Sequence, residues 1–393
     1  DIAALATSQL RAWNTAQITS LSTSQQQALS SAQLNSLSSE QASSLGNGNL
    51  SSLGTQQIPN LSPKSVTTDQ IATLSTAQVA AFSTSQIASL STAQTFVLSS
   101  DQVVALSTLQ ISALLSGQLS SLSSDILAAF ETRDVAALMP PQILALQSQQ
   151  VSALTSAQFR ALSTVQITSL STRQIPAIET DDLQSLRSSQ LGSLTSSQIR
   201  SLQSGQLTVI LTDQIATLTT DQVRSLSSTQ LALLLTDQIV ALNTTQFSAF
   251  ATSQAGALSL EQIIAIQTQD LRALNPSNIA SLRTNSIAAL SPAQFRALLT
   301  NQISSLGSAQ VQSIESDDIQ ALLTLQLQAF TPAQIRSLTT DQIVVLQTSQ
   351  ILAFTSSQLP AIATTTTAVL GTDHIIALST LQFSFLSTAQ ISA

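Results

Sequence analysis

Ser75-Thr76-Ala77-Gln78-Val79-Ala80-Ala81-Phe82 is one copy of the eight-residue unit that decides how this chain folds. The unit runs hydroxyl, hydroxyl, variable, glutamine, apolar, variable, Ala or Ser, large apolar. It returns as STAQTFVL at 91–98 and as TTDQIVVL at 339–346. Its eighth position recurs every eight residues from Leu74 to Leu386 without a slip, and an earlier run extends from Trp13 to Leu61. A fixed short period of this kind overrides the expectation that 393 residues form two or three ordinary domains.

The two apolar positions are three residues apart, then five apart to the next unit. Both spacings are odd, so the period-two alternation of a strand fails. An uninterrupted α-helix fails as well, because eight residues at 100° each drift by about 80° per unit. One turn of helix followed by a bend fits. Ser/Thr with Gln three residues later is the capping-box signature of a helix start. Pro140, Pro276, Pro292 and Pro332 occupy the second position, where a missing N–H costs nothing. Gly46, Gly54, Gly307 and Gly371 occupy the first, as suits a residue between two helices.

Charge placement points the same way. All 20 acidic residues fall at positions one, three or four, as Asp69, Asp134 and Glu179 do. Arg11, Arg160, Arg200, Arg224, Arg272, Arg296 and Arg336 all stand at position six. Acids at the start and cations later are what a helix dipole favours, at roughly 0.3–1 kcal/mol each. The fold class expected is therefore all-α, a superhelical solenoid of very short capped helices with positions five and eight inward; the alternative is a β-solenoid. Helices this short lie far below the ~12 residues needed for marginal independent stability, so stacking must supply the rest. Ala or Ser at position seven allows close backbone approach, and the position-four Gln can form a ladder between coils. Exceptions are Pro59, Pro176 and Pro360 at position six, which predict tighter turns or locally opened units, Ile126 in a Gln place, and the weakened unit around Asn47-Gly48-Asn49.

Apolar residues replace the first hydroxyl at Leu115, Met139, Leu211, Leu235, Leu299 and Leu323. Their separations of 24, 72, 24, 64 and 24 residues hint at three octads per turn, with the 64 breaking the pattern. Residues 155–202 align with 291–338 at an offset of 136, matching AQFRAL with AQFRAL and AIETDDLQSL with SIESDDIQAL. This is the mark of an amplified block. The organisation read is an octad array over 1–61, a five-residue insertion at 62–66, and a second array over 67–393. The insertion is expected to loop out as a bulge, or else to separate two structural segments. Asp1 and Ala393 both fall inside a unit, so the chain is expected to be part of a longer array.

Composition restricts function. Hydrophobic residues make up 43%, enough for a continuous core, while charged residues are 8% against about 25% in a typical soluble domain. With a net charge of −8 and Lys64 as its one lysine, the chain lacks the clustered cations that nucleic-acid binding needs. Cysteine is absent, so neither disulfides nor thiolate metal sites are available. No apolar run reaches the ~18 residues that span a bilayer. His374, the sole histidine, takes the Gln place of GTDHIIAL and reads as a substitute cap. Asp181-Asp182 and Asp317-Asp318 are adjacent in a first turn, where dipole compensation explains them better than hydrolytic chemistry across a cleft. Trp13 stands at a core position; Phe96 and Phe385 are off-pattern. No catalytic, cofactor-binding or metal-binding residue is expected, no cofactor, and no enzymatic activity.

The S-T-A-Q-I-A-S-L type of unit resembles large repetitive secreted or cell-surface proteins of bacteria, many of them adhesin-like. That resemblance implies export and a role outside the cell, and supplies no catalytic residues. The expected function is an extracellular structural rod, fibre or sheath component that self-associates into filaments or lateral assemblies. The alternative is an adhesin stalk or a surface-binding module, including one that binds a lattice such as ice.

Overall fold

The octad folds as its sequence dictates. In the computed structural model, which describes residues 1–48 and 50–393, Ser75 has extended backbone (φ −69°, ψ 161°) and caps the helix Thr76–Ala80. Its hydroxyl accepts from the Gln78 N–H at 3.3 Å, and the Gln78 Oε1 accepts from the Ser75 N–H at 2.8 Å. The helix ends when the last residue of the unit turns extended. Leu90 (φ −57°, ψ 141°) and Ser91 (φ −71°, ψ 161°) form one such corner. Two extended residues suffice, so glycine is not needed to turn it. Gly307 and Gly371 take ordinary negative φ of −75° and −70°, and Gly46 is the one glycine with positive φ among the described residues. The place foreseen for Gly at the corner is thus an ordinary N-cap at these two positions.

Among the described residues there are 44 α-helices of four to six residues and no strand, which excludes the β-solenoid. The chain forms two compact units, Asp1–Leu194 and Thr195–Ala393. Each is a solenoid in which helices pack on the third one along. In the first unit Thr92–Phe96 packs on Ser116–Ser121, that on Pro140–Ala145, and that on Thr164–Ser169. In the second the stack runs Ser196–Arg200, Thr220–Ser225, Thr244–Ser248, Thr268–Ala273, Pro292–Ala297, Ser316–Ala321. One coil therefore holds three octads, a three-sided turn of 24 residues in the regular array.

Positions five and eight fill the interior. Ile87, Phe159, Phe247 and Phe295 are fully buried, and Leu90, Leu162 and Phe250 close the same layers from the corners. Trp13 is one exception, half-buried where full core packing was expected; Leu37, Leu370 and Ile375 are half-buried too, and Phe383 and Ile391 are exposed. The four position-two prolines each open a helix, as at Pro292–Ala297. The position-six prolines lie in 3₁₀ turns, Ile58–Asn60, Ile175–Ala177 and Leu359–Ala361. Proline there has no N–H for the i−4 carbonyl, and the tighter turn dispenses with that bond.

The five residues at 62–66 form a shortened unit. Pro63–Ser65 is a 3₁₀ turn, and Pro63 and Val66 are buried where positions five and eight would stand. It packs on Ser39–Ser44 before it and Thr84–Ser89 after it, so it makes one complete side of a coil. Gln94 donates to the carbonyls of Pro63 and Val66 as it would to those of a full octad. Of the weakened unit Asn47-Gly48-Asn49, Asn49 lies outside the described residues.

Candidate functional site

The most specific polar arrangement in the molecule is the buried fourth position. Gln158 is 2% exposed and works in two directions. Its Oε1 accepts from the Thr155 N–H of its own helix at 2.8 Å. Its Nε2 donates to the Leu127 and Phe130 carbonyls, 31 and 28 residues earlier, at 3.0 and 2.8 Å. Those carbonyls belong to the end of a helix in the coil beneath. Gln302 repeats the arrangement in the second unit, accepting from Leu299 N–H at 2.7 Å and donating to the Leu271 and Leu274 carbonyls at 3.0 and 2.6 Å. One side chain thus satisfies an orphan N–H at a helix start and the orphan position-eight carbonyl at another helix end, and adds a second bond to the position-five carbonyl, which already accepts from a backbone N–H. Gln fits because it alone carries an acceptor and two donors on a stem of this length without charge.

Other residues in the seat show what it requires. His374 accepts from the Gly371 N–H through Nδ1 at 3.4 Å, and its Nε2 lies 2.8 Å from the Leu346 carbonyl, 28 residues back. The neutral ring protonated on Nε2 reproduces both halves of the glutamine bridge, as its reading as a substitute cap predicts. Asn278 is one methylene shorter. Its Nδ2 reaches the Phe250 carbonyl at 3.0 Å, while its Oδ1 is buried without a partner.

Four aspartates also take the seat: Asp134, Asp182, Asp270 and Asp318, all 5% exposed or less. Of each adjacent acid pair, Asp181 and Asp317 are exposed, whereas Asp182 and Asp318 point into the seam. Dipole compensation describes only the outer partner, and the inner one is a correction to that reading. The signal lay in the register, because both inner acids align with Gln. Asp134, Asp182 and Asp270 accept through Oδ1 from position-two hydroxyls 26 residues earlier: Thr108 at 2.7 Å, Ser156 at 2.6 Å and Thr244 at 3.0 Å. The corresponding residue for Asp318 is Pro292, which has no hydroxyl, and the Asp318 Oδ1 is buried without a partner. Burial pushes the Asp182 carboxyl above its usual range against the opposing pull of the Ser156 hydroxyl, with Glu179 and Asp181 adding to the rise. Asp270 is raised by burial and held back by Thr244. Asp318 is pushed up to about 7 by burial first, then by Glu315 and Asp317.

Arginines at position six serve the same seams from the other side: the Nε of Arg200 donates to the Ser225 carbonyl at 3.2 Å and that of Arg224 to the Ala249 carbonyl at 3.3 Å. Position-seven hydroxyls add bonds across the coil interface, as Ser305 does to the Pro276 carbonyl at 2.9 Å. Among the described residues no group of three His, Asp or Glu is placed to hold a metal ion, and no helix is long and apolar enough to cross a membrane.

A family model for the ALTTAQ repeat matches residues 1–31, 127–164, 175–210, 208–244, 263–300, 287–324, 311–348 and 319–356, more than half of the chain. The chain belongs to the ALTTAQ repeat family. No curated protein matches it. The six letters read here as positions seven, eight, one, two, three and four, so the ALTTAQ motif is centred on a corner. It holds the close-packed small residue, the inward Leu, the N-cap and the Gln that ties one coil to the coil beneath.

Proposed function

We propose that this chain is an extracellular structural protein, a rod, fibre or sheath component at a bacterial cell surface. The observation that carries the reading is the position-four bridge, which recurs coil after coil in both units with the same partners and the same burial. Polar groups that an enzyme would hold toward a ligand are here committed to joining the coils. A surface of hydroxyls and amides with few charges gives little like-charge repulsion between neighbouring molecules.

Self-association into filaments or lateral assemblies is part of the proposal. In the first unit the exposed Phe96, Leu115, Leu144 and Val165 belong to octads that are three apart, so they line one side of successive coils. That side also favours a second reading, an adhesin stalk or surface-binding module. Electron microscopy of native material separates the two. Uniform filaments holding many copies support the structural role, whereas single rods ending in a distinct tip domain would replace it with the stalk.

A further inference from the structure

We propose that Asp318 is a protonation-controlled joint between two coils of the second unit: as a carboxylic acid it donates to the Leu290 carbonyl and ties the coils, and as a carboxylate it releases them.

The argument starts from length. Position four must offer a donor to the carbonyl 28 residues earlier, and Asn278 shows that a side chain of this length reaches it, at 3.0 Å from the Phe250 carbonyl. Aspartate is isosteric with asparagine, and for Asp318 the equivalent carbonyl is that of Leu290. A protonated carboxyl has an O–H to give, while the ionised form only accepts and sets negative charge against a carbonyl oxygen. The other three aspartates gain a compensating donor from a hydroxyl 26 residues earlier. Asp318 meets Pro292 instead, and its Oδ1 is left buried and unpartnered.

The charged groups around it favour the neutral acid. Its own helix start carries Glu315 and Asp317. The helix beneath, Pro292–Ala297, carries Arg296; the one above, Thr340–Val344, carries Asp341; and the octad that supplies the Leu290 carbonyl begins with Arg283. Neither arginine is among the influences that set the Asp318 carboxyl, which are burial, Glu315 and Asp317, all raising it, to about 7. The sign follows. A carboxyl whose folded value lies above its unfolded one stabilises the fold fully below the unfolded value near 3.8. The contribution is lost as pH rises through about 7. The joint is therefore tight in acid and loosens toward mild alkali, opposite to the usual salt-bridged carboxylate.

The test uses the full chain. Amide hydrogen exchange, expressed as protection factors to remove intrinsic pH dependence, is followed over 283–290 and 315–322 from pH 5 to pH 8.5. The parent protein is compared with Asp318→Asn and with Asp318→Gln, the latter restoring the regular residue. Protection in the parent should fall by at least about tenfold across this interval, one pKa unit being a factor of ten. Both variants should stay flat, and so should the Gln302 seam. Carboxyl NMR should place the Asp318 midpoint near neutrality, and Pro292→Ser should lower it by supplying the missing hydroxyl. A midpoint in the ordinary carboxylate range, or an equal fall in parent and Asp318→Gln, would overturn the proposal.

Discussion

One difference between the two copies of the duplicated block decides how a buried aspartate is held. Ser156 in the first and Pro292 in the second occupy the same place, 26 residues before Asp182 and Asp318. Ser156 donates to its aspartate at 2.6 Å, whereas Pro292 gives nothing and leaves an orphan oxygen. Proline at that place is harmless to its own helix, since N1 needs no N–H. Its consequence falls one coil away. In a stacked array a residue can be neutral in its own repeat and decisive for the repeat above.

The sharpest way to break the comparison is to remove the bridge that both copies share. Gln158→Leu leaves the Thr155 N–H and the Phe130 carbonyl without their partner in a buried seam, while the Leu127 carbonyl keeps the Phe130 N–H. At roughly 1–3 kcal/mol for each buried group stranded, the local cost is expected to be about 3 kcal/mol, read as lost amide protection in 123–162. Little change there would mean that the seam is wetter than its burial indicates.

Exchanging the distinguishing residue tests the comparison itself. Pro292→Ser is expected to lower the Asp318 carboxyl and stabilise its seam at pH 8 by about 1.5–3 kcal/mol, the range for a hydrogen bond to a charged group. Ser156→Ala should do the reverse, raising Asp182 further because the hydroxyl is what holds it down. As Asp182 already lies above its ordinary value of 3.8, its contribution is present below that value and fades as pH rises through the folded one. Paired carboxyl titrations that fail to move in opposite directions would remove Pro292 as the cause.

The smallest effect belongs to the caps, where the copies should agree. The hydroxyls of Thr155 and Ser291 both accept from the position-four N–H, each at 3.3 Å. Thr155→Ala and Ser291→Ala should each cost about 1 kcal/mol, measured in the same exchange experiment. Unequal losses would show that the two caps are not equivalent despite their matching geometry.

Much of this was legible in the octad. Capping, the inward positions five and eight, the tight turns at Pro59, Pro176 and Pro360, and the substitute role of His374 all depend on residues within one unit and its immediate neighbours. The inner acids were harder to read. Asp182 shares the position-four register of Gln, but only the stacked coil shows that this position faces a buried seam while Asp181 faces solvent. Trp13 stands at an inward position and is nevertheless half-buried, because position fixes a side chain's direction but the neighbouring coils decide how far it is covered.

The sequence by itself determined where each helix starts and stops, since a cap, a Gln and an apolar pair act over three or four residues. Only the tertiary structure decided that three octads make a coil, that 62–66 forms a whole side of one, and which carbonyls each Gln reaches. Those outcomes rest on contacts about 24 to 31 residues apart. The angle of each two-residue corner sets which residues meet at that distance, and such an angle is fixed by packing among coils rather than by the preferences of any single unit.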